Sequence, residues 1–269
     1  TISQTTFIVG PAMAGILVPI IGPIWALGAD AVSYGVLAAV AWGLSRRVRG
    51  GVSLPSEGGN WRALFRYPQM LVLVLVTCLF FLLYGPVEVA LPIFVAQDKQ
   101  GSAALLGAFW TVFGIGAVVG GLLAAALRNR PLWTVVAVII IGWGAALLPL
   151  GLWGELVPGL IGFAVGGLIY GPFISITTAL FQRTSPPELL SSVLATRGAL
   201  TIPATALGTL LGGPLIELIG AQKTLLVSAL LTIALGIAVA VTQVRSPQKG
   251  TALTEPMSSA PGSPNSRER

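Results

Sequence analysis

Two carboxylates, Asp30 and Glu88, stand inside long stretches that are otherwise free of charge. A carboxylate held among apolar residues either finds a partner or takes up a proton, so such a group suits a proton carrier or an anchor for a cationic solute. Asp30 is followed by Ser33 and Tyr34, and Glu88 lies between Pro86 and Pro92. The chain has no histidine and one cysteine, Cys78. That excludes acid–base chemistry by histidine, zinc sites built from His and Cys, and any disulfide within the chain. Two scattered carboxylates do not form the cluster of polar groups at one depth that a membrane-embedded enzyme needs. No catalytic residue, metal site or cofactor is therefore expected, and the chain reads as something other than an enzyme.

The elements that must position these groups follow from composition. Of 269 residues, 9% are charged and 55% hydrophobic, against about 25% charged in ordinary soluble domains. Mean hydropathy is +0.89. Such a chain cannot cover a water-facing surface, and it reads as a polytopic all-α membrane protein. A spanning helix needs ~20 mostly apolar residues. The apolar runs give about eight helices, near 3–21, 23–44, 70–95, 103–127, 132–150, 158–181, 192–216 and 224–244. The runs are continuously apolar, without the period-two alternation of membrane β-barrels, so helices are expected throughout.

Orientation follows from the lysines and arginines of the loops. Arg46, Arg47, Arg49, Arg62 and Arg66, then Arg128 and Arg130, then Arg183 and Arg197, then Arg245, Lys249, Arg267 and Arg269 all fall on one side. The opposite side receives Lys99 and Lys223. Thirteen of the fifteen basic residues thus lie on one face of the membrane, which predicts a multi-pass protein of the plasma (inner) membrane with both termini cytoplasmic. The basic loop at 46–66 serves topology, and no nucleic-acid partner is expected. The segment after Val244 is rich in Pro, Ser and Thr and reads as a disordered cytoplasmic tail over 245–269.

Small residues mark where helices approach one another. Gly10, Pro11 and Gly15 occupy the first helix, where missing side chains admit a neighbour and Pro11 introduces a kink. Glycine pairs four residues apart recur at 116/120, 162/166, 167/171 and 208/212, and are expected to be packing contacts. A shift of 198 residues lays the first helix pair over the last. Gly10 then falls on Gly208, Gly15 on Gly213, Leu17 on Leu215, Ile21-Gly22 on Ile219-Gly220, Leu27 on Leu225 and Leu37 on Leu235. Parallel repeats of this kind build the two halves of some transporters.

These residues also carry a family resemblance. GPAMAG at 10–15, with IIGPIWALGADAVSYGVLAAV at 20–40, resembles the fifth and sixth helices of major facilitator superfamily exporters. The Gly-Pro element is similar to that superfamily's antiporter motif, and the following Gly-Pro turn and Asp-bearing helix resemble effluxers of the enterobactin-exporter and macrolide-efflux type. YGPVEVALPIFV at 84–95, FGIGAVVGGLLAA at 113–125 and FQRTSPPELLSSVLA at 181–195 extend the similarity, the last resembling a cytoplasmic loop between helices ten and eleven. The family's charged loop between helices eight and nine shrinks here to RNRP at 128–131.

The resemblance implies that 1–44 are the last two helices of an N-terminal bundle, 45–69 the cytoplasmic loop between bundles and 70–244 a C-terminal six-helix bundle. It begins at the fifth of twelve helices, so the chain, which starts at Thr1, is expected to be the C-terminal two-thirds of a longer protein. It further implies a secondary active transporter that exports a small amphipathic molecule by proton antiport and alternating access, with the lipid bilayer, protons and a small-molecule substrate as partners. The alternative is a truncated fragment of such a transporter that does not transport.

Several residues keep two readings. Gly10, Pro11 and Gly15 form either a seal against leak or plain packing. Asp30, ~10 Å into the membrane, is either a proton site or gate element, or a structural group bonded to helix N–H groups, Ser33 or Tyr34. Glu88, ~27 Å along its helix, takes a proton or meets a cationic substrate beside a helix broken at the flanking prolines, or is an interfacial glutamate touching water. Arg197 is expected to start the seventh helix and to snorkel to the cytoplasmic interface, and Arg197 and Arg183 both to serve gating or topology. Trp110, Trp143, Tyr170 and Phe173 either line a cavity or pack. Cys78 is expected to be inert.

Overall fold

The computed structural model describes residues 22–47, 67–186 and 189–245. They form helices α1 (Pro23–Arg47), α2 (Pro68–Ile93), α3 (Ala103–Leu127), α4 (Leu132–Leu152), α5 (Leu156–Tyr170), α6 (Phe173–Thr184), α7 (Leu190–Ile219) and α8 (Ala221–Arg245). In hydrocarbon every backbone polar group must be satisfied within its own segment, which leaves these apolar runs little choice but to be helical. Among the described residues, six spans are long and apolar enough to cross a membrane, with α5 and α6 acting together over Leu156–Thr184. The expected second span is α1, whose apolar part is the shorter Leu27–Gly43. The expected first span, the loop at 48–66 and the tail after Arg245 lie outside the described residues.

Two helix boundaries differ from expectation. The run at 158–181 is not one helix, because Gly171-Pro172 interrupts it between α5 and α6. Pro172 cannot supply the N–H that would carry the ladder through. Conversely, α2 is not broken beside Glu88. It runs unbroken past Pro86 and Pro92 and ends in a π-helical turn over Phe94–Asp98. The Lys99 N–H reaches back five residues to the Phe94 carbonyl at 3.1 Å, and Pro92, one residue before the α-helix ends, interrupts nothing beyond it.

The sixfold bundle is knit by glycines set against neighbouring backbones. Gly116 and Gly120 of α3 face the Ala164 and Leu168 backbone of α5, while Gly167 and Gly171 return the contact onto Phe113 and Ala117. The pair 162/166 of α5 faces Ala146 and Trp143 of α4, and 208/212 of α7 faces α2. All four glycine pairs are thus packing contacts, as their spacing suggests. Between α2 and α7 the fit explains why Pro86 leaves α2 intact. Pro86 removes the donor to the Leu82 carbonyl, and a Cβ on Gly208 would strike that same oxygen. The Gly208 Cα therefore lies over the vacated carbonyl, a close approach that lets Cα–H stand in part for the missing N–H.

The centre of the bundle is aromatic. Phe80, Phe113, Trp143, Phe163, Tyr170 and Phe173 form a connected set of ring contacts 4.6–6.2 Å between centroids. Trp143 and Phe173 are fully buried, and Trp110 packs edge-on against Phe113 and Phe163. These four sequence-flagged aromatics, Trp110, Trp143, Tyr170 and Phe173, therefore pack.

The two ends of the bundle are tied separately. At one end the exposed Arg183 side chain donates to the Arg128 carbonyl at 2.9 Å, capping α3 from α6. At the other, Gln222 Nε2 donates to the Gly151 carbonyl at 3.1 Å. The repeat is visible where it can be compared. Gly22 before α1 and Gly220 before α8 both have positive φ, +82° and +86°, a conformation that strongly favours glycine. Leu225 of α8 is fully buried, whereas its counterpart Leu27 of α1 is 69% exposed. Every described side chain of α1 is in fact exposed.

Candidate functional site

The structure separates the two carboxylates. Asp30 is exposed on α1, where Ser33 Oγ donates to its main-chain carbonyl at 2.7 Å. The hydroxyl thus serves the backbone and leaves the carboxylate alone. Tyr34 is likewise exposed. Glu88 stands on α2, about 30 Å from the start of that helix at 1.5 Å per residue. Its side chain is exposed and has no hydrogen-bond or ion-pair partner among the described residues. Gly10, Pro11 and Gly15 lie outside those residues.

Glu88 opens into a groove of about 920 Å³ between α2 and α7, walled by Val89, Ile202, Leu210 and Pro214 and carrying the Thr205 and Thr209 hydroxyls. The helices meet closely at Gly85, Gly208 and Gly212, and beside that seam Gly213, with open space where a Cβ would stand, belongs to the lining. It lies on α7, the least buried of the six spans.

The same face of α7 holds a row of hydroxyls. Thr201 Oγ1 donates to the Arg197 carbonyl at 2.7 Å, Thr205 to Thr201 at 3.0 Å and Thr209 to Thr205 at 3.0 Å. Each hydroxyl proton is spent on the carbonyl one turn back, the usual way a threonine is accommodated inside a membrane helix. Sequence inspection passed over this row, although its four-residue spacing was there to be read.

Arg197 stands below the row. Because α7 begins at Leu190, Arg197 sits about two turns into the helix rather than at its start. Its guanidinium turns across to α6, donating to Thr178 Oγ1 and Thr177 Oγ1 at 3.2 Å each. It also lies 5.5 Å from the centre of the Phe181 ring. Thr177 can accept because its own proton goes to the Phe173 carbonyl at 2.8 Å. An arginine at this depth is tolerated when hydroxyls and an aromatic face replace water. Here they do so by fastening α7 to α6. Cys78 is a free, half-buried thiol on α2.

A glycine-knit bundle of spanning helices, with a charged groove opening beside its least buried helix, defines a multi-pass membrane protein of the transport type. The chain belongs to the transmembrane secretion effector family of the major facilitator superfamily, whose model matches residues 4–263. It is 29% identical over 247 residues to the multidrug efflux pump Tap of Mycobacterium tuberculosis, covering 88% of this chain and 58% of the pump. It is 26% identical over 257 residues to macrolide efflux protein A of Streptococcus pyogenes, covering 88% of this chain and 61% of that protein. The chain therefore spans somewhat over half the length of the curated relatives it matches.

Proposed function

We propose that the complete gene product is a secondary active exporter of small amphipathic molecules, driven by proton antiport and working by alternating access between two helical bundles. The observation that carries this reading is the unpaired Glu88 carboxylate in a drug-sized, mostly apolar groove on the open side of α7. Pockets of ~300–1,000 Å³ suit ligands of that size. The resemblance to multidrug and macrolide efflux proteins supports the direction of transport. In this reading 70–244 act as one bundle, 1–44 belong to the other, and the loop over 45–69 links them on the cytoplasmic side. The protein catalyses no covalent chemistry and has no business with nucleic acid; its partners are the bilayer, protons and the solute.

Cells expressing the gene product should accumulate less of an amphipathic fluorescent dye than cells without it. A protonophore should erase the difference. Equal accumulation in both strains would defeat the reading. The second reading, a fragment that inserts without transporting, is favoured by the full exposure of α1, and the same comparison decides it.

The proposed orientation rests on the loop pattern of the sequence, which assigns thirteen basic residues to one side of the membrane. A reporter fused after Gly154 should be external, and one fused after Pro187 cytoplasmic. The reverse pattern at either position would invert the proposed topology.

A further inference from the structure

We infer that a groove between α3, α4 and α5 seats one anionic phospholipid of the cytoplasmic leaflet, its phosphate held by Arg130 and Thr134. Spanning helices in the proposed orientation are all that this requires; export is not needed. The groove has a volume of about 470 Å³ and carries Arg130, Pro131 and Thr134 at one end. Leu123, Val138, Ile139, Leu168 and Ile169 line the rest with apolar surface. Along α4 the lining runs from Arg130 to Ile139, ~13 Å at 1.5 Å per residue. That is close to half of the ~30 Å hydrocarbon core, the depth an acyl chain reaches when its headgroup stays at the interface.

Both polar groups at the mouth are open. The Arg130 guanidinium and the Thr134 hydroxyl make no hydrogen bond or ion pair with any described residue. Every other threonine of the described helices donates to a carbonyl of its own helix. Thr134 stands in the first turn of α4, where the residue four positions back, Arg130, precedes the helix. Its hydroxyl proton is therefore uncommitted.

A second groove on the same helices supplies the contrast. It lies toward the other end of α4 and α5, has a volume of about 490 Å³ and shares Ile169 with the first. Its lining, which includes Gly142, Pro149, Pro158 and Val165, has no side-chain hydrogen-bonding group, and the adjoining loop carries Glu155. An acyl chain fits either groove. The first alone adds a cation and a hydroxyl donor at the interface, where basic pockets between spanning helices select anionic headgroups. The choline or ethanolamine of a zwitterionic lipid would bring a second cation beside Arg130. A soluble phosphate ester would leave the apolar lining uncovered.

Photolabelling tests this. The complete gene product is placed in phosphatidylcholine nanodiscs with trace phosphatidylglycerol or trace phosphatidylcholine, each bearing the same diazirine midway along one acyl chain. Labelled residues are mapped, and the ratio of phosphatidylglycerol to phosphatidylcholine labelling is taken at each. At Leu123 and Val138 the ratio should exceed that at Ile161, in the second groove, about fivefold, the scale of one arginine near the interface. It should also exceed the ratio at Val72 and Leu75, exposed on α2 toward the same membrane face, which a general attraction to basic loops would label as well. Arg130→Gln should bring the groove down to the level of α2, and Arg130→Lys should keep most of the preference. Thr134→Val should lower it in part. Arg128→Gln, at an exposed position outside the lining, should leave it unchanged. A ratio at the groove no higher than at Val72 and Leu75 in the unmodified protein, which requires no variant to fold, overturns the inference. So does a preference that survives Arg130→Gln, or one that Arg128→Gln removes equally. Loss of the preference on adding millimolar glycerol 3-phosphate also overturns it, by giving the arginine to a soluble ester. The exporter reading fails separately: dye efflux without the lipid preference leaves export standing, and the preference without efflux removes export alone.

Discussion

Exchange of both membrane carboxylates, Asp30→Asn with Glu88→Gln, should reduce export against a gradient to the level of passive leak. Antiport needs at least one group within the membrane that alternates between a proton and another state, and ionisable residues at such depth are the usual carriers. Asp30 and Glu88 stand on different helices, α1 and α2, and no described contact joins them. The two single variants therefore report separately. The variant that loses uphill export while retaining downhill movement of solute identifies the proton carrier. Proton-driven rates unchanged in both single variants and in the double variant would assign the two carboxylates to structure.

The second large effect concerns the α2–α7 seam. Gly208→Leu should prevent these helices from meeting, because even a Cβ at that position strikes the Leu82 carbonyl and the Gly85 backbone. Backbone cannot move aside as a flexible side chain can. The destabilisation should sit at or above the upper end of the ~1–3 kcal/mol typical of overpacking, and the seam is also what shapes the groove. The purified variant should show a lower melting temperature and lose binding of the amphipathic dye together. Gly121→Ala on α3, where the nearest atom to an added Cβ lies 4.0 Å away, should match the unmodified protein in both respects. A Gly208→Leu variant as stable as Gly121→Ala would refute the packing described for this seam.

Much of this architecture was open to inspection of the residues. Spans are legible because a bilayer fixes their length and composition, and the six in the bundle fall within a few residues of where the apolar runs put them. The glycine pairs were legible because four-residue spacing puts both on one helix face. The turn glycines Gly22 and Gly220 give the 198-residue repeat a conformational content, since both adopt a positive φ.

What escaped inspection depends on neighbours far along the chain. Pro86 and Pro92 look like a break, but Gly208 closes over the carbonyl that Pro86 leaves without a donor, and Pro92 stands only one residue before the helix ends. Gly171-Pro172 looks less disruptive, within an apolar run, and is where the helix stops. Thr201, Thr205 and Thr209 read as ordinary helix residues until Glu88 is seen across the groove from two of them. Arg197 looked like an interfacial cap because its partners, Thr177 and Thr178, lie on a helix about twenty residues upstream. Asp30 is the least determined by its surroundings, since its helix is exposed on every described side chain.

The central claim is export coupled to protons, and one measurement addresses it most directly. The purified gene product, reconstituted into proteoliposomes with its cytoplasmic side outward, is given an interior more acidic than the exterior, and the amphipathic fluorescent dye is added outside. The account predicts dye accumulation inside above that of protein-free liposomes under the same gradient, accompanied by faster loss of interior acidity, with both effects absent from the Asp30→Asn, Glu88→Gln double variant. Accumulation and proton release no greater than in protein-free liposomes would contradict it.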